Sequence, residues 1–194
     1  MSSKIFSYAE NEIFDEENFA SEVVEQAETL IKGEKVDLAR KFGWWVANAG
    51  IDRSNAPSGK AIRWVKNPQK SCNDLRDKLM SHFGLDRLGV IMVDSFCTPG
   101  RVGVIGGAVA VSGFEPVIDK RGTTDIFGNE LKITQIAVGD MLASSANIVM
   151  GEGDEKIPIC IIRSFEAVFC NKVDSIKKMQ INPKECLFNP IYHA

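Results

Sequence analysis

Apolar and polar residues follow helical spacing in some parts of the chain and short strand-like runs in others. Helical spacing begins after Asn18, after Asn67-Pro68 and after Thr134, and it predicts helices that end near Gly33, Gly84 and Gly151. Short apolar or alternating runs predict strands at residues 3–8, 42–47, 61–65, 88–93, 103–113, 130–133, 157–162 and 167–170. The pattern therefore predicts a mixture of helices and strands.

The predicted fold is organised around residues 88–125. An apolar run stops at Asp94, which indicates a buried strand that delivers a carboxylate to its end. A polar turn follows, then residues 103–113 with four glycines, then a second acidic turn that ends at Asp125. Glycine is unfavourable inside regular structure, so this density suggests close backbone approach to another group. Two interpretations stay open: a metal–phosphate site, and an ordinary hairpin with solvated turn acids.

A second polar cluster occupies residues 48–55, directly after a predicted aromatic strand. It contains Asp52, Arg53, Ser54 and Asn55 with little apolar filler. Such a cluster is either a turn whose side chains bond to their own backbone or a polar binding loop. We favour a binding loop, because four consecutive polar side chains exceed what one turn requires.

Length and composition narrow the class of protein. A chain of 194 residues with 44% hydrophobic and 25% charged residues is typical of a single globular domain, here residues 1–194. The net charge of −3 and the lack of a basic run argue against a nucleic-acid partner. No apolar run is long enough to span a membrane and no signal-peptide pattern is present, so we expect a cytoplasmic protein. The five cysteines form no Cys-x-x-Cys pair, which disfavours a zinc site.

Five ordered motifs together resemble a known family. They are Asn48-Ala-Gly-Ile-Asp-Arg-Ser-Asn55, Val93-Asp-Ser-Phe96, Lys120-Arg-Gly-Thr-Thr-Asp-Ile-Phe-Gly-Asn-Glu-Leu131, Ala137-Val-Gly-Asp-Met-Leu-Ala143 and Val149-Met-Gly-Glu-Gly153. Their order and spacing resemble the coenzyme F420-0:L-glutamate γ-glutamyl ligase family. The resemblance implies an α+β fold with a mixed, largely antiparallel sheet, packed helices and an intertwined homodimer.

The resemblance also implies a reaction. Such ligases join L-glutamate to the carboxylate of an acceptor through an acyl phosphate, with GTP or ATP as co-substrate and Mg²⁺ or Mn²⁺ bound to the phosphates. The acceptor would be F420-like or folate-like. The Thr98-Pro99 turn and residues 111–116 are similar to the branch associated with folate metabolism.

The resemblance assigns roles to particular residues of this chain. It implies that Asp94 and Asp125 are catalytic and that Asp94, Gln135 and Asp125 bind the metal. It also implies that one set of residues contacts nucleotide or substrate: Ser3, Asn48, Asp52, Ser54, Asn55, Ser95 and Arg101.

Three departures from the family pattern motivate a different function. The resemblance implies a further glycine-and-acid segment before Ser3, Tyr8 stands where a nucleotide-binding Lys is usual, and Gln135 stands where a metal-binding Glu is usual. Glutamine keeps an oxygen ligand but loses its charge, which weakens a site for a hard cation. The alternative is therefore a non-catalytic member of the family that binds a nucleotide or cofactor.

Overall fold

The computed structural model describes residues 12–171 and 174–191. Its strands are β1 Ile13–Asp15, β2 Thr29–Ile31, β3 Leu38–Lys41, β4 Trp44–Ala47, β5 Lys60–Ile62, β6 Val90–Cys97, β7 Val104–Ser112, β8 Ile118–Asp119 and β9 Gln135–Ile136. Its α-helices are α1 Phe19–Gln26, α2 Pro68–Phe83, α3 Val138–Met150 and α4 Ser175–Met179. Single 3₁₀ turns lie at Glu16–Asn18, Asn48–Gly50, Pro183–Glu185 and Asn189–Ile191. This is the α+β composition that the sequence predicts.

The chain separates into two compact units, and each is described by itself. The N-terminal unit comprises Met1–Asn67, Phe96–Val104 and Gln180–Ala194. The central unit comprises Pro68–Ser95 and Ile105–Met179. That residues 1–194 act as one domain stays a prediction. The described strands form four small sheets, β1–β5, β2–β3–β4, β6–β7 and β8–β9, in place of the one larger sheet that we expected.

The N-terminal unit is built on the antiparallel sheet β2–β3–β4. A two-residue turn at Phe42 and Gly43 joins β3 to β4, and both residues have positive φ, +51° and +74°. These are the signs that a type I′ hairpin turn requires. The antiparallel pair β1–β5 and helix α1 enclose a small core of Val23, Ile51 and Ala61.

The two faces of this sheet differ because side chains alternate along each strand. Ala39, Lys41 and Val46 are buried on one face. Thr29, Arg40 and Trp45 lie in register across the three strands and share the opposite face. The sheet therefore offers a continuous row of three side chains on that second face.

The core of the central unit lies between strand β7 and helix α3. It consists of Ala108, Val111, Phe114, Val138 and Ala143. Gly139 of α3 brings the helix close to the strand, since a Cβ there would lie 3.2 Å from Cγ2 of Val111 and 3.4 Å from Cβ of Ala108. The small residue at position 139 therefore permits close packing of the helix against the strand.

Helix side chains satisfy backbone groups of β7. Asp140 Oδ1 accepts from the Ala108 amide at 2.9 Å, and Ser175 Oγ accepts from the Val111 amide at 2.8 Å. The Gln69 amide nitrogen donates to the Val111 carbonyl at 2.9 Å. Side chains that occupy backbone groups prevent further strand pairing there. Burial raises the pKa of Asp140, although its bond to Ala108 counteracts this.

Gly106 of β7 approaches another backbone closely, as expected, and that backbone belongs to helix α3. A Cβ at Gly106 would lie 2.7 Å from the Ala143 carbonyl oxygen. The Ser144 hydroxyl donates to the Gly106 carbonyl at 2.6 Å. At this position the glycine is thus explained by helix packing without a ligand.

The predicted starts and ends of the three helices agree with the structure to different degrees. The prediction of a helix between Asn67 and Gly84 is confirmed by α2, and Gly84 has φ of +61°. The first predicted helix is too long, because α1 ends at Gln26 and Leu30 belongs to β2. The third begins at Val138 because residues 135–136 pair as β9 with β8, so Thr134 is not its cap.

The predicted C-terminal strands are wrong. Residues 157–162 form no strand, and their isoleucines are exposed. Residues 167–170 contribute a single bridge, between Phe169 and Phe114. Residues 130–133 likewise give only a bridge, between Glu130 and Thr124. The predicted strand at residues 3–8 lies outside the described residues.

Candidate functional site

The loop at residues 48–55 is hydrogen-bonded at its first residue to the residue that precedes strand β3. Asn48 Oδ1 accepts from the Asp37 amide at 3.2 Å, while the Asn48 amide donates to the Asp37 carbonyl at 2.8 Å. These bonds join the loop to the residue before β3. The Asn48 side chain therefore has a structural partner, and its predicted contact with a substrate stays a prediction.

Asp52 supplies the carboxylate of this loop. Its Oδ1 accepts from the Arg53 amide at 2.7 Å, the Ser54 amide at 3.0 Å and the Ser54 hydroxyl at 3.1 Å. These bonds form an Asx turn, which fixes the orientation of the carboxylate. In the described part of the chain nothing donates to Oδ2 of Asp52. An exposed, oriented carboxylate oxygen is suited to a cation or to a ligand donor.

The remaining polar residues of the loop are held by local contacts. Arg53 Nε lies 2.7 Å from Glu16 Oε1, and its guanidinium lies 3.8 Å above the Phe19 ring. Asn55 adopts φ of +56°, a conformation that Asn tolerates better than most residues. The loop is therefore ordered by its own residues, as a preorganised binding loop requires.

Asp94 lies inside a strand, which corrects the prediction that it ends one. Strand β6 continues to Cys97, and the turn begins only at Thr98. Asp94 Oδ1 accepts from the Ser95 amide at 2.8 Å, and both side chains are partly buried. The local bond leaves the carboxylate of Asp94 in a defined orientation within the strand.

Asp125 organises the turn in which it stands. Its Oδ1 accepts from the amides of Phe127 and Asn129, each at 2.8 Å, and its Oδ2 accepts from the Asn129 side chain at 3.0 Å. The bond from the Asn129 side chain is the main cause that lowers the pKa of Asp125. Both carboxylate oxygens are used by the turn, so the structure gives Asp125 a structural role. Its metal-binding role stays a prediction.

Gln135 and Arg101 complete the predicted site residues that the structure describes. Gln135 is exposed in β9 opposite Asp119, whose pKa is lowered to about 2, chiefly by hydrogen bonds from the Arg121 side chain. Arg101 is exposed in the β6–β7 turn, where its amide donates to the Thr98 carbonyl at 3.2 Å. Ser3 lies outside the described residues.

The predicted residues fall into two groups, one in each unit. The N-terminal unit holds Asn48, Asp52, Ser54, Asn55 and Arg101, and the central unit holds Asp94, Ser95, Asp125 and Gln135. Within residues 12–171 and 174–191, the acids, histidines and cysteines form no cluster of three that suits a metal ion.

Sequence reasoning missed one unusual charged group. Lys41 is only 5% exposed, and its ammonium donates to Gln26 Oε1 at 3.0 Å and lies 5.6 Å from the Trp64 ring centroid. Burial lowers its pKa to about 8. No local pattern marks this lysine, because its burial arises from strand alternation and from residues distant in sequence.

Comparison with known proteins adds the decisive observation. A family model described as F420-0:gamma-glutamyl ligase matches residues 1–164. This chain belongs to that family. Two similar relatives are the coenzyme F420:L-glutamate ligases of Methanopyrus kandleri and Methanocaldococcus jannaschii. The first is 41% identical over 146 residues, 74% of this chain and 58% of the relative, and the second 41% over 151 residues, 77% and 60%.

The chain of this F420-0:gamma-glutamyl ligase family member matches about 58–60% of the length of those two relatives. A more distant relative, the coenzyme F420:L-glutamate ligase of Archaeoglobus fulgidus, is 32% identical over 163 residues, which are 84% of this chain and 65% of the relative. None of the described helices is long and apolar enough to cross a membrane.

Proposed function

We propose that this chain forms an amide bond between the amine of L-glutamate and the carboxylate of an F420-like or folate-like acceptor. The observation that carries the proposal is the family match over residues 1–164. The self-ordered Asx turn at Asp52 supports it, because a binding loop gains affinity when its side chains are oriented before the ligand arrives. Catalysis would use GTP or ATP and a divalent cation.

The proposed chemistry proceeds through an activated acceptor. An acceptor carboxylate oxygen attacks the γ-phosphorus of the nucleotide, which gives an acyl phosphate and a nucleoside diphosphate. The amine of glutamate then attacks the acyl carbon, phosphate leaves with the electrons of the C–O bond, and the nitrogen loses a proton. Asp94 would take part in catalysis. The residues that would contact nucleotide or substrate are Asn48, Asp52, Ser54, Asn55, Ser95 and Arg101.

The candidate metal ligands are oxygen atoms, which suit a hard divalent cation. In the central unit Asp94 has a carboxylate group and Gln135 an amide oxygen, which is the ligand chemistry of Mg²⁺ and Mn²⁺. Mg²⁺ is commonly held by one or two carboxylates together with substrate phosphates and water. The bound ion would supply charge neutralisation at the phosphates.

A specific observation favours the second candidate, a non-catalytic member that binds nucleotide or cofactor. Two predicted site residues are already engaged locally, Asn48 with Asp37 and Asp125 with its own turn. A protein that binds a nucleotide without transferring its phosphate needs fewer side chains for contacts with substrates and metal than a ligase does.

The test that separates these two functions is an incorporation assay with labelled L-glutamate. The purified chain is incubated with an F420-like or folate-like acceptor, GTP or ATP, and Mg²⁺ or Mn²⁺. We expect label in the acceptor in step with release of nucleoside diphosphate. Nucleotide binding without incorporation into either acceptor would instead support the non-catalytic function. A chain that neither binds nucleotide nor transfers glutamate would contradict both.

We also propose that the protein is a homodimer, through apolar surface of the central unit. Ile157, Ile159 and Ile161 alternate along the chain and are 41%, 70% and 72% exposed. On helix α3, Met141 and Ile148 are 61% and 86% exposed. Large exposed apolar surfaces mark interaction sites, and a second copy satisfies the dimer that the family resemblance implies.

Light scattering should give about twice the monomer mass of 21.4 kDa at micromolar concentration. The double substitution Ile159→Lys and Ile161→Lys should shift the protein toward monomer, since it places charge on the proposed interface. Val36→Lys is the control, because Val36 is half-exposed in the N-terminal unit. A monomeric wild-type protein, or a double variant that remains dimeric, would show the proposal to be wrong.

A further inference from the structure

A cavity of about 90 Å³ lies on the second face of the sheet β2–β3–β4, under the C-terminal segment of the N-terminal unit. The row Thr29, Arg40 and Trp45 forms its floor, with Gly43 beside it. Four residues of the segment that follows Gln180 also line it: Ile181, Pro183, Cys186 and Asn189. Among the residues that the structure describes, no predicted ligase site residue lines this cavity.

The covering segment is fixed by hydrogen bonds. Gln180 Nε2 donates to the Phe42 carbonyl at 2.6 Å, at the turn between β3 and β4. Asn182 Oδ1 accepts from the Lys184 amide at 3.1 Å, and the Asn189 amide donates to the Cys186 carbonyl at 3.0 Å. The roof of the cavity is therefore formed by two ordered 3₁₀ turns.

The polar side chains around the cavity have unused hydrogen-bonding capacity. Arg40 Nε lies 3.6 Å from Glu28 Oε2, and no described residue accepts from its terminal nitrogens. Within the described part of the chain, the Thr29 hydroxyl, the Asn189 side-chain amide and the Cys186 thiol also have no hydrogen-bond partner. No buried side-chain nitrogen or oxygen is unsatisfied among those residues, so the terminal nitrogens of Arg40 contact solvent. Convergent, unused polar groups in a concave site indicate a ligand.

We propose that this cavity binds a small monocarboxylate, with its two oxygens on the guanidinium of Arg40. Arginine matches a carboxylate because its fork donates two parallel hydrogen bonds. The Thr29 hydroxyl and the Asn189 amide supply further donors at the same cavity. Trp45, Ile181 and Pro183 provide apolar wall for a short carbon chain.

Size and charge define the class of ligand. One water needs about 10–15 Å³ of such a cavity, so this one has room for about six to nine, enough for a short-chain carboxylate. A nucleotide requires a pocket several times larger, of about 300 Å³ or more. Glu28 partly neutralises Arg40, which disfavours a dianion such as phosphate relative to a monoanion.

The first test is calorimetric titration of the full chain with acetate and propionate at constant ionic strength, with acetamide and inorganic phosphate as comparisons. We expect both carboxylates to bind and acetamide not to bind, because acetamide lacks the charge. Arg40→Gln should weaken carboxylate binding by about tenfold or more, since it removes the charged donor. Arg87→Gln is the matched control, because Arg87 is an exposed arginine of the other unit.

A second variant and a second measurement distinguish loss of carboxylate binding from loss of folding. Thr29→Val keeps the shape of an exposed strand residue and should weaken carboxylate binding without unfolding the sheet. Propionate should also slow alkylation of Cys186 by iodoacetamide, measured by mass spectrometry, and leave that of the exposed Cys97 unchanged. Failure of either carboxylate to bind, equal binding of phosphate, or unchanged affinity in both variants would overturn the proposal.

Discussion

Asp94→Asn should abolish most metal-dependent nucleotide binding while leaving the fold intact. Asparagine keeps the shape and an oxygen that can accept from the Ser95 amide, a bond of 2.8 Å in the structure. It removes the negative charge that a divalent cation requires. Loss of a group that only orients a metal ligand costs about 10–100-fold in metal affinity, so loss of a ligand's charge should cost at least about tenfold. Glutamate transfer should fall further, because the same charge supports the transition state.

The measurement is nucleotide binding with and without Mg²⁺ or Mn²⁺, together with the melting temperature of the ligand-free protein. Asp86→Asn is the matched control, since Asp86 is an exposed acid of the same unit outside the proposed site. If Asp94→Asn binds nucleotide as tightly as the wild type, the metal role of Asp94 is wrong. If it melts at a much lower temperature, the carboxylate serves the fold instead.

Helix α2 could be predicted well because its signals are local. Asn67 and Pro68 favour a helix start, and Gly84 permits the positive φ that ends it. The Asx turns at Asp52 and Asp125 are local for the same reason, since each carboxylate bonds to amides within four residues. Such features depend on a few neighbouring residues and so can be read from the sequence.

Features that depend on distant residues escaped prediction. Leu30 fits the apolar face of an extended α1 until it pairs with Ala39 in β3. The β3–β4 hairpin lacks the usual Asn-Gly or Asp-Gly signal, because Phe42 and Gly43 form its turn. The strand predicted at residues 157–162 has a suitable apolar pattern, but the described chain supplies no strand to pair with it.

The candidate site shows the same division. Sequence motifs located Asp52 and Asp94, yet they gave no indication that Asp94 would lie inside β6, a strand that continues to Cys97. The cavity lined by Arg40 and Trp45 was also missed, because it exists only once three strands align these side chains and the C-terminal segment covers them.

Lys41→Met should stabilise the protein at neutral pH, with an effect that disappears in alkaline solution. Burial lowers the pKa of Lys41 from 10.5 to about 8; Glu12 and Glu22 favour its charged form, and Arg63 opposes it. Both glutamates are already paired with Arg63, at 3.0 and 2.7 Å. Among the described residues, the ammonium of Lys41 is therefore buried beside Gln26 and two aromatic rings, without a carboxylate of its own.

The sign of the pH dependence follows from the direction of this change. Between about pH 8 and 10.5 the unfolded state binds more protons at Lys41 than the folded state, so stability rises with pH in this range. Below about pH 8 both states are protonated and the full cost of burying the charge is present. The difference between the two pKa values corresponds to about 3 kcal/mol, an upper estimate for what Lys41→Met recovers at pH 7.

Other groups titrate in the same range, so the informative quantity is the difference between variant and wild type. Unfolding by urea at several pH values from 7 to 10.5 gives that difference directly. It should be largest at pH 7 and shrink as the wild-type lysine loses its proton. The exposed Lys132, changed to Met, controls for loss of one positive charge and should give a small, nearly constant difference. A difference for Lys41→Met that is equally flat would mean that the ammonium stays solvated. A destabilising effect at pH 7 would mean that Gln26 and the rings compensate fully for its burial.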